Sequence, residues 1–230
     1  MMTLYSYFRS STAYRVRIAL NLKGVEYEIV PVHLAKGEQF ADMYRLINPM
    51  AAVPVLDHDG FRVSQSLAIL NYIDNVAPNP PLSPIDDIQG QAYVRQVALA
   101  VATDIHPLTN LKVLKKLGTM FGASEDQKNE WYAHWALDGM RAVETMLLDC
   151  GRTGKFANGD AVSVADLCIV PQMYNMRRYH LPLDEFPICR HIEENCMALT
   201  AFQTASPEMQ PDAPDDLEII HGPHFKGGLI

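Results

Sequence analysis

Polar and apolar positions follow two different rhythms along this chain, and the change comes near residue 80. Residues 3–7 (TLYSY) are rich in aromatic and β-favouring side chains and predict a short strand. Apolar positions then recur at helical spacing (Ala13, Val16, Ala19, Leu20), and Gly24 is placed to end that helix. Residues 27–33 (YEIVPVH) predict a second strand, and 40–46 a short helix closed by Asn48-Pro49. Asp59-Gly60, a strong turn pair, sits between 53–57 and 61–63 and predicts a hairpin. Ser66 is placed to cap a last helix over 67–76. The predicted order is strand, helix, strand, helix, strand, strand, helix.

The run APNPPLSPIDD (77–87) holds four prolines and predicts a linker. Beyond it the pattern is helical throughout. A long helical stretch is expected from about 87 to 117, interrupted or kinked near Pro107. Ser124 with Gln127 forms a capping-box pattern, and Ser163 with Asp166 a similar one with Asp in place of the usual Glu. Two further helices are expected after Pro187 and Thr200, and a tail from Pro207 that wraps the surface or frays. Two domains follow from this pattern, 1–82 and 83–230, the first α/β and the second all-α.

Composition narrows the function. The chain has 230 residues, 48% apolar and 20% charged, enough for real cores and unlike a disordered segment. A net charge of −8 argues against a general nucleic-acid or anionic-membrane binder. No apolar run reaches the roughly 20 residues that span a bilayer, and MMTLYSYFRS does not resemble a secretory leader, so a cytoplasmic location is expected. Cys150, Cys168, Cys189 and Cys196 form no CxxC pair and no metal-site spacing, so no metal is expected. The first 149 residues contain no cysteine, which argues against a thiol oxidoreductase.

Candidate chemistry begins in FRSSTAYRVRIAL (8–20), where Ser10, Ser11 and Thr12 open the first helix. Such hydroxyls cap a helix by accepting its orphan amide protons. The same place favours anions, and a hydroxyl donating to a thiolate lowers the thiol's pKa. Val53-Pro54 precedes the hairpin, and Gln65-Ser66 opens the next helix, a second place where an anion can be held.

These segments carry a resemblance. FRSSTAYRVRIALNLKG (8–24), NPMAAVPVL (48–56), QSLAILNYI (65–73), IHPLTNLKVLKKLG (105–118), SVADLCIVPQMYN (163–175) and AFQTASPEMQPD (201–212) resemble the zeta class of glutathione transferases. That family contains maleylacetoacetate isomerase and the bacterial maleylpyruvate isomerases. The resemblance implies a thioredoxin-like N-terminal domain, an all-helical C-terminal domain and a homodimer. It places Ser10, Ser11 and Thr12 beside the sulfur of glutathione, with Ser11 in the activating role. Gln39, Val53, Pro54, Gln65, Ser66, His106 and Asn110 match glutathione-binding positions, and Arg9 and Arg178 are the expected substrate contacts. Animal isomerases usually carry Cys at the position of Thr12 and Gln at that of His106, so this chain looks more like the bacterial maleylpyruvate isomerases. The implied activity is a glutathione-dependent cis–trans isomerisation of maleylacetoacetate or a related cis-dienone dicarboxylate such as maleylpyruvate. The alternative is conjugation or dehalogenation of small α-halo acids.

Overall fold

The computed structural model describes residues 1–220. The chain forms two compact units, Met1–Pro81 together with the segment from Met197 onward, and Leu82–Cys196. Each is taken in turn.

The first unit begins with strand β1 (Met2–Ser6), helix α1 (Ser11–Leu22) and strand β2 (Tyr27–Pro31). A 3-10 turn (Glu38–Phe40), helix α2 (Asp42–Arg45), the hairpin strands β3 (Val55–His58) and β4 (Phe61–Ser64), and helix α3 (Ser66–Val76) follow. The sheet order is β2-β1-β3-β4. β1 pairs parallel with β2, Leu4 opposite Ile29, and antiparallel with β3, Leu4 opposite Leu56. Leu4 and Leu56, fully buried, hold the centre of this sheet.

Local chemistry explains the turns. Asp59 (φ 51°) and Gly60 (φ 90°) both take the left-handed backbone that a two-residue hairpin turn requires. Gly24 (φ 61°) ends α1, with its N–H donating to Asn21 O and that of Val25 to Leu20 O. This double bond is the Schellman arrangement for which glycine is suited. Two expectations need correcting. The helix over 40–46 shrinks to a 3-10 turn and the single helical turn of α2. Ser66 is the first residue of α3 and not its cap; the cap position is Gln65, which takes φ 73°.

The second unit is helical: α4 (Ile88–Leu99), a π-helical segment (Ala100–Ile105), α5 (His106–Thr109), α6 (Leu111–Phe121), α7 (Glu125–Asp149), α8 (Val164–Arg178) and α9 (Pro187–Met197), whose last residue returns to the first unit. The helical stretch expected over 87–117 is thus interrupted around Pro107. Pro107 has no N–H to continue the ladder. Asn110 then turns extended (ψ 157°), and its Oδ1 accepts from Val113 N at 3.2 Å to start α6. Gly139 on α7 lies against the π segment so closely that a Cβ there would overlap Ile105 Cγ1.

Both capping boxes form. Asp166 is fully buried and accepts from Ala157 N (2.8 Å), Ser163 N (2.7 Å) and Ser163 Oγ (2.8 Å). Burial outweighs those bonds and pushes its carboxyl up to about 6. Cys168, Cys189 and Cys196 are buried, and Cys150 is half-buried.

After α9 the chain rejoins the first unit, where the sequence reading had kept all of 83–230 in the helical domain. Helix α10 (Thr200–Gln203) and a 3-10 turn (Pro207–Met209) run along α1 and the loop before it. Tyr14 Oη donates to Phe202 O (3.2 Å), Arg17 Nε to Ala205 O (2.9 Å), and Phe8 N to Asp212 Oδ2 (2.9 Å). Ala213 and Leu217 pack on the cluster of Tyr7, Phe8, Val32, Tyr44 and Val53. The tail therefore wraps this unit through Leu217. Its glycine-rich end, from 221, lies outside the described residues.

Among the described residues no helix is long and apolar enough to cross a membrane, and no group of His, Cys, Asp and Glu is arranged to hold a metal ion.

Candidate active site

The hydroxyls at the mouth of α1 are ordered by hydrogen bonds that can be followed proton by proton. Ser10 is the N-cap, and its Oγ accepts from Ala13 N at 3.2 Å. Thr12 Oγ1 donates to Val53 O at 3.1 Å. A hydroxyl has one proton to give. In the Ser10–Thr12 pair, 2.9 Å apart, Ser10 Oγ is therefore the donor and Thr12 Oγ1 the acceptor. Both protons are committed. Ser11 Oγ makes no hydrogen bond to any described residue, although Ser11 is only 7% exposed. Of the three, Ser11 has the uncommitted proton.

Val53 and Pro54 stand beside this triplet through the bond to Thr12, and the Val53–Pro54 peptide is cis. Val53 N–H has no partner among the described residues. Gln65 and Ser66 begin α3, and no side chain caps that helix. Ser66 Oγ accepts from Arg15 Nη1 at 3.2 Å. Gln39 is buried; its Nε2 donates to Leu34 O (3.4 Å), and its Oε1 lacks a partner among the described residues. Arg9 lies with its guanidinium 5.1 Å from the Phe8 ring centre, its buried Nε likewise unpartnered.

The remaining expected residues belong to the second unit. His106 opens α5, and Asn110 uses its carbonyl oxygen to cap α6, leaving the amide protons uncommitted among the described residues. At the end of α8 two adjacent arginines differ sharply. Arg177 binds Glu193, with Nε 3.2 Å from Oε1; burial pushes the Glu193 carboxyl up, and Arg177 holds it back. Arg178 has no carboxylate partner among the described residues, and its buried Nε makes no bond there. Its guanidinium lies 4.6 Å from the Tyr179 ring centre, and Tyr179 stacks on Tyr132 at 3.6 Å, with an interplanar angle of 8°. Aromatic faces attract guanidinium without neutralising it.

The structure thus joins Ser10, Ser11, Thr12, Val53 and Pro54 directly, and Ser66 to α1 through Arg15. Arg15 and Asp212 are not among the residues expected at the site. Arg15 lies in a stretch of α1, Ala13 to Leu20, that is buried at every position. A cation in such a stretch must find its partners inside the protein.

Comparison with known proteins identifies the family. Residues 1–75 match the family model described as glutathione S-transferase, N-terminal domain. Over 216 residues the chain is 43% identical to the maleylacetoacetate isomerase of Mus musculus, covering 93% of this chain and 96% of that protein. The holo structure of a maleylpyruvate isomerase, a bacterial glutathione S-transferase of the zeta class, superimposes with a TM-score of 0.90 at 39% identity, covering 92% of this chain and 100% of that one. The maleylacetoacetate isomerase of Anaeromyxobacter dehalogenans 2CP-1, with dicarboxyethyl glutathione and citrate in its active site, gives a TM-score of 0.81 at 42% identity, covering 93% and 98%. The chain belongs to the zeta class of the glutathione transferase family, among the maleylacetoacetate and maleylpyruvate isomerases.

Proposed function

We propose that the protein is a glutathione-dependent isomerase that converts a cis-dienone dicarboxylate, maleylpyruvate or maleylacetoacetate, to its trans form. The observation that carries this is the uncommitted proton of Ser11 Oγ at the N-terminus of α1. The residues present fit glutathione. A hydroxyl proton waits for a thiolate, the Val53 N–H has no partner among the described residues and suits a peptide carbonyl, and Ser66 at the start of α3 suits a carboxylate. Bound glutathione supplies the thiolate that adds to the conjugated cis double bond and leaves again once that bond has rotated.

The protein's own groups do the rest. Ser11 donates to the sulfur and, with the positive end of α1, holds it deprotonated. Ser10 and Thr12 fix the first turn of α1 and tie it to Val53, so Ser11 is held in one place. Gln39, Val53, Pro54, Gln65 and Ser66, with His106 and Asn110, are assigned to the peptide. Arg178, whose charge no acid neutralises among the described residues, and Arg9 are assigned to the substrate carboxylates, for which a planar guanidinium is suited. The Anaeromyxobacter isomerase, whose active site holds two carboxylate-bearing ligands, supports a dicarboxylate substrate. The family resemblance supports a homodimer, and Cys189 and Cys196, buried without a disulfide among the described residues, support a reducing, cytoplasmic setting.

The test is an assay of the purified protein on maleylpyruvate and maleylacetoacetate, with and without glutathione. Turnover of either that depends on glutathione supports the proposal. Turnover of an α-halo acid with neither dienone accepted would shift the reading to dehalogenation by the same thiolate.

A further inference from the structure

Arg15 is 1% exposed and carries a charge that no carboxylate answers among the described residues. Its Nη1 donates to Ser66 Oγ at 3.2 Å, and its Nε is buried without a partner. A buried cation of this kind is costly unless something supplies the missing negative charge. Arg17, two residues on, is satisfied differently: its guanidinium donates to Ala205 O, Ser6 Oγ, Tyr7 O and Phe8 O. Arg15 has Ser66.

Ser66 is placed to pass that charge on. Its oxygen accepts from Arg15, so its own proton points elsewhere. A hydroxyl polarised by a cation on one side donates more strongly on the other. The hydroxyl also sits on the first residue of α3, an eleven-residue helix whose N-terminus no side chain caps. A buried cation, a polarised hydroxyl and free helix amides all favour an anion at this one place.

We propose that Arg15 is a positioning residue whose counter-charge is the ligand itself: the α-carboxylate of the γ-glutamyl group, held by Ser66 with Arg15 behind it. The inference rests on the assignment of that end of glutathione to Gln65 and Ser66. It goes further in making Arg15 the source of selectivity for a carboxylate, and in predicting that Arg15 contributes nothing to the stability of the free protein.

The experiment compares glutathione with 4-aminobutanoyl-cysteinyl-glycine, which lacks only that carboxylate, by calorimetry on wild type and Arg15→Met. Wild type should prefer glutathione by about thirtyfold, as expected for one charge-assisted bond. Arg15→Met should lose most of that preference, with the affinity for the analogue unchanged. Without ligand the variant should melt no lower than wild type, and its thermal shift with glutathione should be smaller. Arg15→Gln, polar and neutral, repeats the comparison if the methionine variant does not fold. Equal weakening of both ligands, or an undiminished preference for glutathione, would overturn the proposal. Ser66→Ala separates the two levels: if it weakens glutathione binding and Arg15→Met does not, Arg15 alone is misassigned. If neither weakens it, the γ-glutamyl assignment falls as well.

Discussion

The Thr12 hydroxyl donates to the carbonyl oxygen of Val53 across 3.1 Å, and this bond determines which of three neighbouring hydroxyls can do chemistry. Because Thr12 gives its proton to Val53, Ser10 must give its own to Thr12. Thr12→Val should therefore behave as a structural change. It should cost about 1 kcal/mol of stability, the usual value of one such bond, and reduce turnover by less than tenfold. Denaturant unfolding and steady-state kinetics check both. A loss of turnover far beyond this with an intact fold would mean that Thr12 acts on the sulfur itself.

Two adjacent arginines at the end of α8 should give opposite results. Arg178→Met keeps much of the side-chain volume and removes a charge that no acid balances among the described residues. It should strongly raise KM for a dicarboxylate dienone and leave glutathione conjugation to an uncharged aromatic halide nearly unchanged. Equal loss of both activities would mark Arg178 as structural.

Arg177→Met should spare the dienone KM and act on stability. It strips the counter-ion from Glu193, whose side chain is 3% exposed, and should cost on the order of 3 kcal/mol in a urea melt. An unchanged midpoint would mean that Glu193 is already protonated in the folded protein.

Asp166 makes stability depend on pH in an unusual direction. Its carboxyl is pushed up to about 6 by burial, against roughly 3.9 in an unfolded chain. Between those values the folded protein keeps a proton that the unfolded chain has lost. The contribution of Asp166 is thus fully present below about pH 4 and is lost as pH rises through 6, by about 3 kcal/mol in total. Comparing wild type with Asp166→Asn at several pH values isolates it from other carboxylates. The stability of wild type relative to the variant should fall from pH 4 to pH 7. A rise would mean that the three hydrogen bonds, and not burial, govern the group.

Much of this was legible in the sequence because it depends on neighbours in the chain. Gly24, Asp59-Gly60 and the Ser124 capping box each specify a local backbone shape, and each forms as read. What was not legible depends on partners far away. The return of the chain after Met197 rests on bonds such as Phe8 N to Asp212, 204 residues apart, which no local pattern encodes. The break in the 87–117 helix was half visible: Pro107 marked the place, but the overlap that Gly139 avoids with Ile105 comes from a different helix. In the site, the hydroxyl triplet was readable as a cap and as an anion site. The choice of Ser11 within it was not, because it turns on where Val53 places its carbonyl. Arg15 was hidden for the same reason; its partner Ser66 is 51 residues on.

The central claim is that the Ser11 proton creates the thiolate, and titration of the bound thiol tests it most directly. The ultraviolet absorbance of the thiolate is followed against pH for glutathione bound to wild type and to Ser11→Ala. In wild type the thiol should ionise well below the usual value near 8.5. In Ser11→Ala it should return towards that value, with the fold within about 1 kcal/mol of wild type and isomerase turnover down by roughly 10². Superimposable titration curves for the two proteins would contradict the account.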